Sequence, residues 1–239
     1  MKLLVSTPAF GGQATIQYFE SVNHCCLMAM SEGLLEKFEI HFQDNEALIH
    51  RARDRAADKF LRGDYDKLLT IDADIEFDYE DFRKIVLSPK DITGGLYPLK
   101  AFPVVMNFNP LPGKGDEFWK SHRGMDYDAF KKFRETYGDL VEVRHIATGF
   151  MCVTRRVFEK LRETSGTYST WDASSGDFAR FFHFYESGVH EGQLESEDWS
   201  FTRRAREAGF EAYIDTRITL GHVGRHTYRL GQFFGESQT

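Results

Sequence analysis

Apolar and polar positions along the chain switch repeatedly between a strand period and a helix period. Residues 2–6 form a short apolar run that breaks at Thr7-Pro8-Ala9-Phe10-Gly11-Gly12, where a proline and paired glycines force a loop. Ile16, Phe19, Cys26, Met30 and Leu34 then recur at helical spacing and predict a helix that turns those residues to the core. Residues 38–42 alternate as a second strand should. Asp44 or Asn45 is placed to cap the next helix, whose buried stripe is expected at Leu48, Ala52, Ala56 and Phe60. The apolar run Lys67-Leu68-Leu69-Thr70-Ile71 reads as a buried strand, and it delivers Asp72 and Asp74 to the point where the strand ends.

A helix over residues 79–87 is stopped by Ser88-Pro89, and a further strand lies within residues 91–100, with Gly94-Gly95 marking a close approach and Lys100 beyond it. Prolines and glycines make residues 109–126 a loop or excursion. Phe130, Phe133 and Tyr137 mark a short amphipathic helix, residues 140–146 a strand, and residues 147–154 a small-residue turn entering another strand. Val157, Phe158 and Leu161 face inward from a helix that begins at Arg155. Residues 164–193, rich in Gly, Ser and aromatics, show little periodicity and read as a structureless lid or acceptor loop. Ser196 is a fair N-cap for a helix ending at Gly209, and short strands at 212–214 and 218–220 lead to Gly221-His222-Val223-Gly224-Arg225-His226. Strands alternating with helices place the chain in the α/β class, with a central sheet that is mixed and mostly parallel.

The 239 residues suffice for one substantial core, and a single domain over residues 1–239 is expected. A net charge of -7 argues against nucleic acid as the main partner, since phosphate neutralisation calls for clustered Lys and Arg. No uninterrupted apolar stretch reaches membrane-spanning length and the first residues lack a signal-peptide layout, so the expectation is a soluble, cytoplasmic protein without a membrane span. Cys25, Cys26 and Cys152 form no CxxC pair and read as buried thiols. The 22 phenylalanines allow a sugar- or base-stacking surface besides the core.

The chemistry concentrates at Asp72 and Asp74. Carboxylates at the rim of a core need counter-charge or water, and a hard divalent cation carrying phosphates is a common reason to gather them. A calcium loop of the EF-hand kind is excluded, because Phe77 stands where Gly is needed and Arg83 where a bidentate Glu is needed. Asp78, Glu80 and Asp81 have an ordinary role as acids opening a helix. Arg51, Arg53 and Arg55 read either as a charged outer face or, for Arg51 or Arg53, as bidentate diphosphate ligands. Glu197 and Asp198 read either as complements to a helix dipole or as reacting carboxylates. Thr7, Pro8, Gln43, Asn45 and Ala73 stand at strand ends, where open α/β sheets bind ligands.

The order of these signals resembles the GT-A glycosyltransferases, in the flavour found in chlorella viruses, phages and bacteria, and more distantly the Anp1/Mnn9 mannosyltransferases. The resemblance rests on Ser6-Thr7-Pro8, Leu48-Ile49-His50-Arg51-Ala52-Arg53, the Asp72-Ala73-Asp74 motif on its strand, Gly94-Gly95-Leu96-Tyr97-Pro98, Thr148-Gly149-Phe150-Met151, Ser196-Glu197-Asp198 and His222-Val223-Gly224. Residues 107–139 and 168–195 match nothing in the family's pattern. The resemblance implies a Rossmann-like sheet with a nucleotide-binding half over residues 1–106 and an acceptor and catalytic half over 140–239. It implies Mn²⁺ or Mg²⁺ on Asp74, Asp72 and a late histidine, His222 with His226 as fallback. A UDP-sugar is the favoured donor, a GDP-sugar the other option, and a glycan hydroxyl the acceptor. Thr7, Pro8, Gln43, Asn45, Arg51, Asp72, Ala73 and Lys100 are the nucleotide-side residues, with Asp72 reaching the ribose or metal-bound water. The resemblance further implies inversion, with Asp198 as base and Glu197 orienting the acceptor or exchanging roles with it. Two rivals remain: a sugar-phosphate nucleotidyltransferase, whose long phosphate loop residues 7–12 do not supply, and a non-catalytic glycan-binding module stacking sugars on Trp171, Tyr168 and Trp199.

Overall fold

The computed structural model describes residues 1–100, 106–114, 127–172, 175–224 and 228–229. The first half runs β1 (Lys2–Ala9), a 3-10 turn (Phe10–Gly12), α1 (Ile16–Ser31), β2 (Lys37–Asp44), α2 (Ile49–Arg62), β3 (Lys67–Ile71), β4 (Ile75–Glu76), α3 (Tyr79–Leu87) and β5 (Ile92–Leu96). Then come β6 (Phe108–Pro110), α4 (Tyr127–Tyr137), β7 (Leu140–Ile146), β8 (Phe150–Thr154) and α5 (Arg155–Leu161). The remainder is β9 (Thr167–Asp172), β10 (Asp177–Phe182), β11 (Gly188–His190), β12 (Gln193–Glu195), α6 (Glu197–Glu207), β13 (Ala212–Thr219), β14 (Gly221–His222) and β15 (Tyr228–Arg229).

Eight strands form one sheet in the order β2-β1-β3-β8-β5-β13-β7-β6. The pairs β2–β1, β1–β3 and β5–β13 are parallel, while β8 and β7 run against their neighbours on both sides. Two of eight strands are thus reversed, and the sheet is mixed but mostly one-directional. Strand alternation splits the apolar residues between its faces. Leu3, Val5 and Leu69 go to one core with Tyr18, Val22, Phe82 and Ile85, under α1 and α3. Leu4 and Leu68 go to the other with Phe60, Phe133, Phe158 and Phe201, under α2, α4, α5 and α6. Cys25, Cys26 and Cys152 are free and buried, and burial pushes the first two thiols up to about 12 and the third to about 11.

The structure corrects the pattern reading in four places. Helix α1 buries Tyr18, Val22, Cys25, Cys26 and Ala29, while Ile16, Phe19 and Met30 face outward. The helix carries two apolar stripes, and the sheet takes the one whose small residues allow close approach. Helix α2 begins at Ile49 with Leu48 as its N-cap and no side-chain cap; Glu46 accepts the Leu48 N–H at 3.1 Å instead of Asp44 or Asn45. Residues 164–193 form two antiparallel hairpins, β9–β10 and β11–β12, where a structureless loop was expected. The two expected strands at 212–220 are one strand, β13, whose register shifts between Asp215 and Thr219 before the chain enters β14.

Candidate active site

The Asp-Ala-Asp segment is a turn clamped by three distant pieces of chain. The Asp72 N–H donates to the Gly149 carbonyl at 2.9 Å, the Thr15 N–H to the Ala73 carbonyl at 2.8 Å, and the Val223 N–H to the Asp74 carbonyl at 2.8 Å. Thr15 is also the N-cap of α1, its hydroxyl accepting the Tyr18 N–H, so one residue starts the helix and fixes the turn. Immediately afterwards β4 pairs antiparallel with β14, His222 opposite Ile75. This two-residue ladder is what carries His222 to Asp74 across nearly 150 positions of sequence. Gly149 is required by space: a Cβ there would lie 2.4 Å from the Tyr97 hydroxyl and 2.7 Å from Asp72 Oδ2.

Strand geometry alone would put Asp72 and Asp74 on one face. The chain leaves the strand after Ile71, and the two carboxylates diverge. Asp72 turns to Arg53 on α2, whose Nη2 donates to Asp72 Oδ1 at 3.0 Å and whose Nε donates to Glu197 Oε1 at 3.4 Å. Arg53 is 4% exposed, and although burial opposes its charge, Asp72 and then Glu197 raise its pKa further. It therefore ties the turn after β3 to the first turn of α6. It is not an outer-face charge. The phase of α2 held the signal: Arg53, Ala57 and Phe60 share the inward stripe at i, i+4 and i+7.

Asp74 turns the other way. Its Oδ1 lies 3.4 Å from His222 Nε2, and its Oδ2 accepts from the Lys100 ammonium. His222 Nδ1 donates to the Pro98 carbonyl at 2.9 Å, because a carbonyl only accepts, and Nε2 is the ring nitrogen turned to Asp74. Burial raises the Asp74 pKa, but His222 and Lys100 more than offset it and hold it below the usual range. Among the described residues no three His, Cys, Asp or Glu side chains gather as a metal cage. Asp74 and His222 are a two-ligand set, so an ion held there would take its remaining ligands from phosphate and water.

A cavity of about 710 Å³ joins these parts, and its wall includes Pro8, Arg53, Asp72, Ala73, Asp74, Glu197 and His222. Other expected residues stand elsewhere. Thr7 is fully buried with its hydroxyl 2.5 Å from that of Tyr18, so its side chain belongs to the core rather than to a ligand. Gln43 lines a neighbouring groove with His41, Arg55 and Asp172. Asn45 adopts a positive φ of 52° and donates to Asp44, while Arg51 is spent on Glu46 through two bonds of 3.0 and 2.8 Å. Asp198 is not part of the cavity wall; its carboxylate accepts the Ser196 hydroxyl and the Trp199 N–H, and burial raises its pKa. His226 lies outside the described residues.

Next to Arg53, Asp54 does a different job. Fully buried, it accepts the Tyr168 hydroxyl at 3.1 Å, His183 Nδ1 at 2.7 Å, and the N–H groups of Phe184 and Tyr185, both at 2.9 Å. It fastens the base of the β9–β10 hairpin to α2. Of the three candidate stacking residues, Tyr168 is thereby committed, Trp199 lies parallel to His145 at 4.9 Å, and Trp171 is 53% exposed beside Phe178.

No protein-family model matches the sequence, and no curated protein matches it. Among solved structures, the chain is similar to A197 from STIV over 96% of its own length and 94% of that chain, at 15% identity and a TM-score of 0.56. GalNAc-T7, solved with UDP, GalNAc and Mn²⁺, superposes on 99% of this chain at 13% identity and a TM-score of 0.52; the chain spans 45% of that protein. The inositol-1-phosphate CTP transferase from T. maritima superposes more loosely, at 10% identity and a TM-score of 0.43 over 90% of this chain and 84% of that one, and supports no argument. Among the described residues no helix is long and apolar enough to cross a membrane. The likeness is one of fold: the chain has a mixed α/β, GT-A-like fold.

Proposed function

We propose that the chain is a metal-dependent glycosyltransferase that moves a sugar from a nucleotide-diphosphate donor, UDP-linked by preference, to a glycan hydroxyl with inversion. The observation that carries this reading is the β4–β14 ladder, which sets His222 beside Asp74 in the same cavity wall as Asp72 and Glu197. The nucleotide half, residues 1–106, supplies Pro8, Arg53, Asp72 and Asp74, and the half over 140–239 supplies Glu197 and His222. Mn²⁺ or Mg²⁺ held by Asp74 and His222 would neutralise charge growing on the departing diphosphate. GalNAc-T7 was crystallised with UDP and Mn²⁺, which is consistent with that cofactor and donor class.

The chain's own groups do the rest. Arg53 holds Asp72 and Glu197 at fixed positions, so the carboxylates cannot collapse onto incoming cationic charge. Asp198 is assigned the acceptor's proton and Glu197, on the cavity wall, the acceptor's orientation, the two sharing the first turn of α6 so that they can exchange these roles. The exposed pair Trp171 and Phe178 favours glycan contact on the hairpin and would equally serve a non-catalytic glycan-binding module.

Donor turnover decides between these readings. With a panel of UDP- and GDP-sugars, the wild type should release nucleoside diphosphate only when Mn²⁺ or Mg²⁺ is added. Release of pyrophosphate from a nucleoside triphosphate would select the nucleotidyltransferase instead, and glycan binding without turnover the binding module. Asp198→Asn should lower transfer by about 10²–10⁴-fold while UDP still binds. Glu197→Gln should chiefly raise the acceptor KM; the reverse pattern assigns the base to Glu197.

A further inference from the structure

Both oxygens of Asp74 are engaged, Oδ1 facing His222 and Oδ2 accepting the Lys100 ammonium. Lys100 lies two residues beyond Pro98, whose carbonyl orients His222, so the lysine enters the site on the segment that positions the imidazole. Its side chain is about one-third exposed and ends in a compact ammonium on a flexible stem, free to exchange one anionic partner for another. Of the two protein ligands available to a divalent ion, Asp74 is already paired with a cationic ammonium.

We infer that Lys100 is a built-in counter-ion that competes with the divalent metal for Asp74. Metal alone is then held weakly, because it must displace the ammonium or sit beside it. A diphosphate reverses the balance: its oxygens complete the metal shell and give Lys100 a second anion to move to. Metal and nucleotide thus bind as one unit, and Lys100 acts as a positioning residue. The inference rests on the glycosyl-transfer reading for the identity of the diphosphate, but not for the competition at Asp74.

The test is titration of Mn²⁺ alone, followed by the electron paramagnetic resonance of the free ion, into wild type, Lys100→Met and Lys100→Arg, with thermal melts confirming folding. Lys100→Met should bind Mn²⁺ alone about three- to tenfold tighter than wild type, Lys100→Arg should match wild type, and Asp74→Asn should abolish the gain. With Mn²⁺ saturating, UDP should bind Lys100→Met about tenfold more weakly. Equal, weaker or undetectable Mn²⁺ binding in Lys100→Met overturns the inference. If the wild type binds no UDP in the presence of Mn²⁺, the glycosyl-transfer reading falls, while the Mn²⁺-alone comparison still decides the role of Lys100.

Discussion

Asp72 and Asp74 are two residues apart, about equally exposed, and held in opposite ways. Asp72 is bonded to a guanidinium that is itself buried and shared with Glu197. Asp74 is shared between an imidazole and a partly exposed ammonium. The difference separates scaffold from reagent. A carboxylate tied to a buried Arg keeps its place whatever enters the cavity, whereas one tied to a mobile Lys can trade that partner for another cation.

The comparison can be broken first at Arg53. Arg53→Met leaves Asp72 and Glu197 facing each other without compensation and should cost about 3–5 kcal/mol of stability, read as a large fall in Tm. Arg53→Lys, which keeps the charge but not the two-pronged geometry, should fall between. If Arg53→Met melts like the wild type, Asp72 is no more fixed than Asp74.

Gly149→Ala presses on the fixed side from another direction. The added methyl meets the buried Tyr97 hydroxyl and Asp72, and a cost of about 1–3 kcal/mol is expected. Adding Tyr97→Phe should recover part of it, a coupling that a double-mutant cycle measures.

Asp81 shows what burial does to a carboxylate without a guanidinium. Burial, and then the charge of Asp78, push its pKa up to about 7. A raised folded-state pKa contributes stability that is fully present below the unfolded value near 3.8 and is lost as pH rises through about 7. Asp81→Asn should therefore match the wild type near pH 4 and exceed it by about 1–2 kcal/mol at pH 8, as chemical denaturation at the two pH values would show.

The smallest stability effect belongs to Asp74. Its partners are partly exposed, so Asp74→Ala should change stability by no more than about 1 kcal/mol. The same variant should lower metal-dependent donor turnover by at least about 10²-fold. A large Tm loss with turnover intact would exchange the roles of the two aspartates.

Much of this architecture is legible in the residues. The run 67–71, the helix at 79–87, the strand at 140–146 and the helix from Arg155 appear where apolar periodicity places them, because each has a single apolar stripe bounded by turn residues. Helix α1 was misread because Ile16 and Phe19 make a second stripe as apolar as the buried one. The hairpins at 167–182 and 188–195 escape the pattern because their strands are largely exposed and anchored by polar contacts such as those of Asp54, so apolar alternation does not mark them. At the site, Asp72, Asp74, Glu197 and His222 do meet around one cavity. Thr7, Gln43, Asn45 and Arg51 do not, since strand-end position says nothing about which hydroxyl or amide the core has already engaged. Arg53 was weighed as an outer-face charge or a phosphate ligand, because a tie between residues 53, 72 and 197 exists only after folding.

Arg53 and Asp54 are consecutive, and one grips the cavity wall while the other grips the hairpin. The β9–β10 ribbon thus has a defined socket: a foreign β-ribbon grafted there should stay in register only if its base repeats the contacts of Asp54 with Tyr168, His183 and the amides of Phe184 and Tyr185. Toward the tip the ribbon is tied to the same helix once more, Arg55 donating to the Trp171 carbonyl at 2.7 Å, so a grafted ribbon has to keep that acceptor too.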